Sequence, residues 1–233
     1  MLTDHSPSPV AAEAALPSPL KGRGSYAVKE AFLTLQGEGV QAGRRAVFLR
    51  FAGCNLWSGR EADRRTAVCQ FCDTDFVGTD GAGGGKFGDA ATLAAHIAAL
   101  WGEGSAQRLV VVTGGEPMLQ LDPALVDALH GAGFQIAVES NGTIAATAGI
   151  DWLCISPKAG SDVVQRSGDE LKLVWPQPGI DPAAIEQWDF AHFLVQPMDC
   201  ADRDGAMAAA IALAMARPRW RLTLQAHKIV GLR

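Results

Sequence analysis

The sequence is poor in several features that would assign it quickly. No basic run exceeds two residues (Arg44-Arg45 and Arg64-Arg65) and the formal net charge is −5, so there is no electrostatic footprint for nucleic acid. No apolar run approaches the length of a bilayer span. The longest, Ala206–Ala216, is eleven residues and reads as a buried core helix. The N-terminus lacks a basic start, and Glu13 interrupts the apolar stretch from Val10 to Leu16, so it does not read as a secretory signal. Cysteine is scarce, and five is an odd count, which argues for a reducing compartment over a disulfide framework. The expectation is a soluble, cytoplasmic protein that engages neither nucleic acid nor membrane.

What is present suffices for a sizeable core. At 233 residues and 48% hydrophobic, the chain supports one α/β domain. Residues 1–25 hold four of the twelve prolines (Pro7, Pro9, Pro17 and Pro19) and read as a disordered extension, native or added. The domain then spans 26–233. Its opening stretch, Tyr26–Leu35, leads into a glycine-punctuated loop, Gln36-Gly37-Glu38-Gly39. Ala46–Phe51 is β-branched and aromatic and reads as a first strand, ending at Gly53. Leu109–Val112 has the continuous apolar character of a strand buried on both faces. Phe134–Val138, Trp152–Ile155, Leu171–Trp175, Phe193–Val195 and Arg221–Leu224 follow as strands.

Helices alternate with them. Asp89 caps one reaching Leu100, Asp122-Pro123 opens one to about His130, and Asp181-Pro182 opens one to Trp188. Asp80–Gly88, with Gly81, Gly83, Gly84 and Gly85, reads as a flexible surface connector. The alternation predicts an α/β fold of parallel strands with crossover helices, an open or partial (β/α) barrel with its chemistry at the strand C-termini.

Three of the five cysteines, Cys54, Cys69 and Cys72, fall within 19 residues, while Cys154 and Cys200 stand alone and read as buried small hydrophobes. Three thiolates do not close a structural zinc site, which takes four ligands. They suit an iron–sulfur cluster with one open corner. A cysteine pair two residues apart also occurs in zinc knuckles and thiol-redox sites, so the spacing alone leaves those readings open.

Gly53-Cys54-Asn55-Leu56, Cys69-Gln-Phe-Cys72-Asp-Thr74 and Thr113-Gly-Gly-Glu-Pro117 together resemble the radical S-adenosylmethionine superfamily. Thr34-Leu-Gln36-Gly-Glu38-Gly39 and Leu224-Gln-Ala-His227-Lys228 narrow the resemblance, over 26–233, to the 7-carboxy-7-deazaguanine synthases. One feature departs from most of the superfamily. Fourteen residues separate Cys54 from Cys69 where three are usual, an expanded spacing that some of these synthases carry. The spliced-in segment, 55–68, is expected to form a small helix beside the cluster.

The resemblance implies a set of roles. Cys54, Cys69 and Cys72 would hold a [4Fe–4S] cluster whose fourth iron takes the methionine end of S-adenosylmethionine. Reductive cleavage of that cofactor would release a deoxyadenosyl radical, which would start the ring contraction of 6-carboxytetrahydropterin to 7-carboxy-7-deazaguanine with loss of ammonia. Phe71, Asp73, Gly115, Glu116, Glu139, Ser140, Ser156, Lys158 and Gln196 would meet the cofactor. Within that set, the Glu116 carboxylate would accept from the cofactor's ammonium. Thr74 would bind Mg²⁺ with the substrate carboxylate.

Leu35, Gln36, Glu38, Arg50, Thr113 and His227 would meet the pterin, and so would the terminal carboxylate of Arg233, a position where the family commonly has proline. Arg50, inside a strand, needs a counter-ion, and a substrate carboxylate would supply it. A flavodoxin-like reductant and a homodimer are implied as partners. Two other readings stay open: a non-catalytic zinc module using the three cysteines and a histidine, and an activase that makes a glycyl radical on another protein.

Overall fold

Side-chain alternation along the strands decides what each face of the sheet becomes. In the stretch Leu171-Lys172-Leu173-Val174, the leucines turn to an apolar layer and Lys172 and Val174 to the opposite side. The structure, a computed structural model, describes residues 25–232. The expected extension over 1–25, apart from Ser25, and the terminal Arg233 lie outside the described residues.

One nine-stranded sheet organises the chain. Its strands are β1 (Tyr26–Leu35), β2 (Arg45–Phe51), β3 (Gly85–Phe87), β4 (Leu109–Gly114), β5 (Gln135–Ser140), β6 (Trp152–Ile155), β7 (Ser167–Trp175), β8 (Asp189–Pro197) and β9 (Trp220–Leu222). Their order is β3-β1-β2-β4-β5-β6-β7-β8-β9. From β2 to β9 every pairing is parallel, and β1 runs antiparallel to both of its neighbours. The sheet is open, with β3 and β9 at its edges.

One face carries the main core. Val47, Leu49, Val110, Val112, Ile136, Val138, Leu171 and Leu173 pack there under α1 (Ala90–Trp101), α2 (Pro123–Gly131), α3 (Pro182–Ile185) and α4 (Arg203–Ala216). Each such side chain, fully buried, is worth about 1.5–3 kcal/mol. The helices start where the aspartates predict. Asp89 accepts from Thr92 N at 2.7 Å, Asp122 from Leu125 N at 3.0 Å and Asp181 from Ala183 N at 2.9 Å, caps worth about 1 kcal/mol each. The other face has a smaller apolar cluster (Ala46, Leu109, Val111 and Ala137) at one end, and a mixture of polar side chains with Phe32, Leu35, Phe48 and Val174 around the cavity.

Several expectations need correction. Ala46–Phe51 belongs to the second strand, since Tyr26–Leu35 pairs with it as β1. The glycine-rich connector is not a loose loop. Gly85–Phe87 is β3, and Gly81 and Gly84 press so closely on the Lys29 carbonyl that a Cβ would come within 2.7 and 2.2 Å of it. Crossover helices are fewer than the alternation predicted, because 141–151 and 156–166 join their strands without one. Ile144, Ala146 and Ile150 in the first link cover the sheet themselves.

The alanine-rich helix α4 is not a buried helix either. Ala206 and Ala210 face the core, while Met215 is 79% exposed. Its even apolar composition hides which side packs. Beyond β9 the chain forms a further short helix, α5 (Ala226–Val230). Among the described residues, no helix is long and apolar enough to cross a membrane.

Candidate active site

Because β2 and β4 to β9 run the same way, their C-terminal ends share one edge, and the loops leaving them surround a cavity of about 590 Å³. The cavity continues down the polar face of the sheet to Arg50 on β2, Thr113 on β4, Glu139 on β5, and Lys172 on β7. It is therefore lined by strand-held side chains below and loop-held ones above.

The cysteines lie at the loop end. Cys69 is buried. Its interaction with the neighbouring Cys72 thiol pulls Cys72 down to about 6 and pushes Cys69 up. Cys54 is half-buried behind them, and burial raises it; its Sγ accepts from Leu56 N at 3.4 Å. Cys69 feels the charge of both other thiols, and Cys54 that of Cys72.

The long spacing is closed by the backbone. Leu56 O accepts from Val68 N at 3.1 Å and from Cys69 N at 3.3 Å. Residues 57–67 therefore leave and re-enter at one point, and Cys69 returns beside the residue two after Cys54. Within the excursion, Glu61–Thr66 form the expected small helix, of the 3₁₀ type. Trp57 anchors it by packing edge-on against Phe76 at 5.5 Å.

Opposite the cysteines, the Gly114-Gly115-Glu116 turn is pressed against the loop that carries Cys54. A Cβ on Gly115 would lie 2.3 Å from Gly53 O and 2.5 Å from Cys54 Cβ, and one on Gly114 would lie 2.5 Å from Phe51 O. Backbone meeting backbone thus accounts for both glycines. Glu116 is held by the protein's own donors. It is fully buried and does not line the cavity. Its Oε1 accepts from Met118 N and Ser140 Oγ, both at 2.9 Å, and its Oε2 accepts from Asn141 N at 2.8 Å. Burial holds its carboxyl above the ordinary value.

A chain of charges forms the floor. The Lys172 ammonium is clasped between Glu38 and Glu139, the latter at 3.1 Å. Gln36 Nε2 donates to Glu139 at 2.9 Å, and Gln225 Nε2 to Glu38 at 3.0 Å. Burial alone would raise Glu38, but the Lys172 charge and hydrogen bond carry it below the usual range. Arg50 already has one partner within the protein, its Nε lying 2.9 Å from Glu30 on β1. At the mouth, Lys228 of α5 bridges Asp73 and Asp199, each at 2.7 Å. His227 packs on Gly37, where a Cβ would approach its Nδ1 to 2.3 Å.

Most of the sequence-predicted residues converge here. Leu35, Gln36, Glu38, Arg50, Thr113 and His227 line the cavity, as do Cys69, Phe71, Cys72, Asp73 and Thr74. So do Gly115, Glu139, Ser140, Ser156, Lys158 and Gln196. Cys54 and Glu116 sit behind the lining, and Arg233 lies outside the described residues. Cys154 is buried as expected, whereas Cys200 is only half-buried, its thiol donating to Asp202 O at 3.4 Å on the loop before α4. Lys29, Lys172, Asp199, Gln225 and Lys228 were missed. The signal for Lys172 was a lone charge inside the apolar run of β7.

Two features bear on what the cavity can hold. Gln196 Oε1 is buried yet has no hydrogen-bond donor among the described residues, a cost met when a ligand N–H or O–H arrives. Lys158 donates to Ser156 O at 2.7 Å and Ser156 Oγ at 2.6 Å, and burial lowers it below an ordinary lysine. Among the described residues, no three His, Cys, Asp or Glu side chains gather closely enough for a single metal ion. A four-iron cluster takes one thiolate per iron and spreads its ligands wider, so three neighbouring thiols fit it better than they fit one ion.

Known proteins match this chain over nearly their whole length. A 7-carboxy-7-deazaguanine synthase of Caulobacter vibrioides is 62% identical over 208 residues, which cover 89% of this chain and 99% of that one. The synthase of Bordetella pertussis is 59% identical with the same coverage. Among solved structures, QueE from Escherichia coli superposes with a TM-score of 0.63 at 25% identity, covering 87% of this chain and 95% of that one. No protein-family profile matches.

Proposed function

Since the chain belongs to the 7-carboxy-7-deazaguanine synthase family, we propose that it converts 6-carboxytetrahydropterin to 7-carboxy-7-deazaguanine by radical ring contraction with loss of ammonia. Product plus ammonia has the composition of the substrate, so the conversion needs no net oxidant. On this reading the open sheet is the partial (β/α) barrel of radical S-adenosylmethionine enzymes, and Cys54, Cys69 and Cys72 hold a [4Fe–4S] cluster. The cluster and S-adenosylmethionine together supply one-electron chemistry that generates a hydrogen-abstracting radical.

This chain's own residues bind and orient. Gly115, Ser140, Ser156 and Lys158 form the cofactor side, where Gln196 Oε1 awaits a donor. Phe71 and Asp73 flank it from the cysteine loop. Gln36 and Glu38 present acceptors from the floor that suit the N–H-rich edge of a pterin, with Thr113 and His227 beside them, while Glu139 belongs to the cofactor side. Arg50, shared with Glu30, faces the substrate carboxylate. Thr74 takes Mg²⁺ with that carboxylate, an oxygen-donor arrangement in which the ion keeps much of its water. Glu116 acts from behind, holding the Ser140–Asn141 turn. A flavodoxin-type donor, a homodimer and a cytoplasmic setting complete the proposal.

The observation that carries it is one cavity lined by the Cys69 and Cys72 thiols, with Cys54 behind them, an undonated buried amide oxygen and a charged floor. The test is anaerobic reconstitution with iron and sulfide, followed by assay with 6-carboxytetrahydropterin, cofactor and reductant. Brown protein and turnover are expected, both lost in Cys54→Ala, Cys69→Ala and Cys72→Ala and both kept in Cys154→Ala. A colourless, zinc-loaded protein without turnover would overturn the proposal in favour of a metal-binding module.

A further inference from the structure

The excursion between Cys54 and Cys69 has one side chain that reaches back to the cysteine loop. Arg64 Nη1 donates to Gln70 O at 2.9 Å and to Cys72 O at 3.0 Å. Its Nε is bound by both oxygens of Glu61, at 2.9 and 2.8 Å. The guanidinium also lies over the Trp57 ring, 4.1 Å from its centroid. Trp57 is in turn fixed, its indole N–H donating to Arg60 O at 3.1 Å and its ring packing on Phe76.

A planar cation held by a carboxylate and an aromatic face has few ways to move, and its fork carries donors in fixed directions. The two carbonyls it binds flank Phe71 and lie within the Cys69–Cys72 segment. That segment is otherwise a run without helix or strand from 67 to 84, so the clamp supplies order that regular backbone pairing does not.

We propose that Arg64 is a positioning residue: it holds the carbonyls of Gln70 and Cys72 so that the Cys69 and Cys72 thiols are arranged for the cluster before any metal arrives. This rests on the reading of those cysteines as cluster ligands. The excursion is then more than an insertion tolerated beside the site, because it carries the brace for the loop that follows it. Glu61 and Trp57 serve the brace by fixing its plane.

The test uses the full chain with Arg64→Met, which keeps an unbranched apolar stem on Trp57 but no donors, and Arg64→Lys, which keeps the charge but not the fork. In the metal-free protein, Cys69 is buried, so its alkylation by iodoacetamide, read residue by residue by mass spectrometry, reports opening of the loop. In the reconstituted protein, the rate of iron loss to a chelator reports how well the cluster is held, and the spectrum of the reduced cluster reports its ligand geometry. Arg64→Met is expected to raise both rates about tenfold, the scale of one or two lost hydrogen bonds, and to broaden the spectrum. Arg64→Lys should recover only part of this, with the melting temperature of the metal-free chain near the parent's in both.

Parental rates in Arg64→Met would overturn the proposal, and full recovery by lysine would overturn the fork as its basis. If Arg64→Met unfolds, Glu61→Gln takes its place, with Arg64 intact but loosened; parental rates there would overturn the proposal equally. A parent chain that accepts no iron and sulfide would defeat the cluster reading, while the alkylation rates would still decide whether Arg64 holds the loop.

Discussion

The Glu116 carboxylate accepts the backbone N–H of Asn141 at 2.8 Å across two parallel strands, joining the turn after β4 to the turn after β5. With Ser140 and Met118 as its other donors, this one buried side chain sets the height of both loops at the cavity rim. Glu116→Gln turns an acceptor into a donor facing one of those groups. A buried group left unpaired costs about 1–3 kcal/mol. The expected outcome is a lowered denaturation midpoint of the metal-free chain and weaker cofactor binding. Calorimetry and equilibrium dialysis check the two halves separately; unchanged stability would mean the carboxylate is not the clasp.

Lys172 makes a prediction whose sign depends on pH. In the parent, Glu38 is held below its ordinary 4.5 despite burial. Its pairing therefore contributes stability above that value and loses it as the solution is acidified through the lowered pKa. In Lys172→Met the same carboxylate is buried with Glu139 and no cation, so its pKa rises. The native state then binds a proton that the unfolded state has released, and stability falls as pH rises. Breaking such a buried pair costs about 3–5 kcal/mol. Urea denaturation at pH 5 and at pH 8 should show the variant losing more at the higher value. A deficit equal at both pH values would refute the account.

The mouth of the cavity is closed by α5, tied through Lys228 to Asp73 and Asp199 and through Ala226 N to Gly37 O at 2.9 Å. Partly exposed pairs of this kind are worth only about 0–1 kcal/mol each, so Lys228→Met should leave global stability nearly unchanged. It should instead speed amide exchange at Ala226 and raise KM for the pterin. Gly37→Ala, which collides with His227, should do the same more strongly. Normal KM in both would separate α5 from substrate binding.

For Thr74, replacement by alanine should shift the Mg²⁺ dependence of turnover to higher concentration while the cluster spectrum stays as in the parent. Identical metal-response curves would remove Thr74 from the metal site.

Where backbone chemistry is local, the sequence was readable. Aspartate caps, proline at the first helical position and apolar strand runs depend on neighbours a few residues apart, and they fell where expected. The cysteine and Gly-Gly-Glu stretches were readable for the same reason, though the role of Glu116 was not, because its three donors come from two different turns. Lys172 is a lone charge in an apolar strand until Glu38 and Glu139, 134 and 33 residues away, arrive beside it. Strand β3 hid behind a glycine run because Gly81 and Gly84, just before it, serve close approach to the Lys29 carbonyl, a fact no local pattern records. The face of α4 was hidden by alanine, which suits either side of a helix.

The pinch at Leu56 separates distance along the chain from distance in space. Whatever lies between residues 57 and 67, the two hydrogen bonds on one carbonyl return Cys69 to the same place relative to Cys54. A ruler laid along the sequence therefore misjudges this motif, since the interval it counts is a side trip that ends where it began. Closing a longer trip is inexpensive, about 0.6 kcal/mol for each doubling of loop length. The metal-facing surface thus has one stretch that can be resized or recharged without disturbing the thiols, provided a guanidinium still reaches back from the position of Arg64.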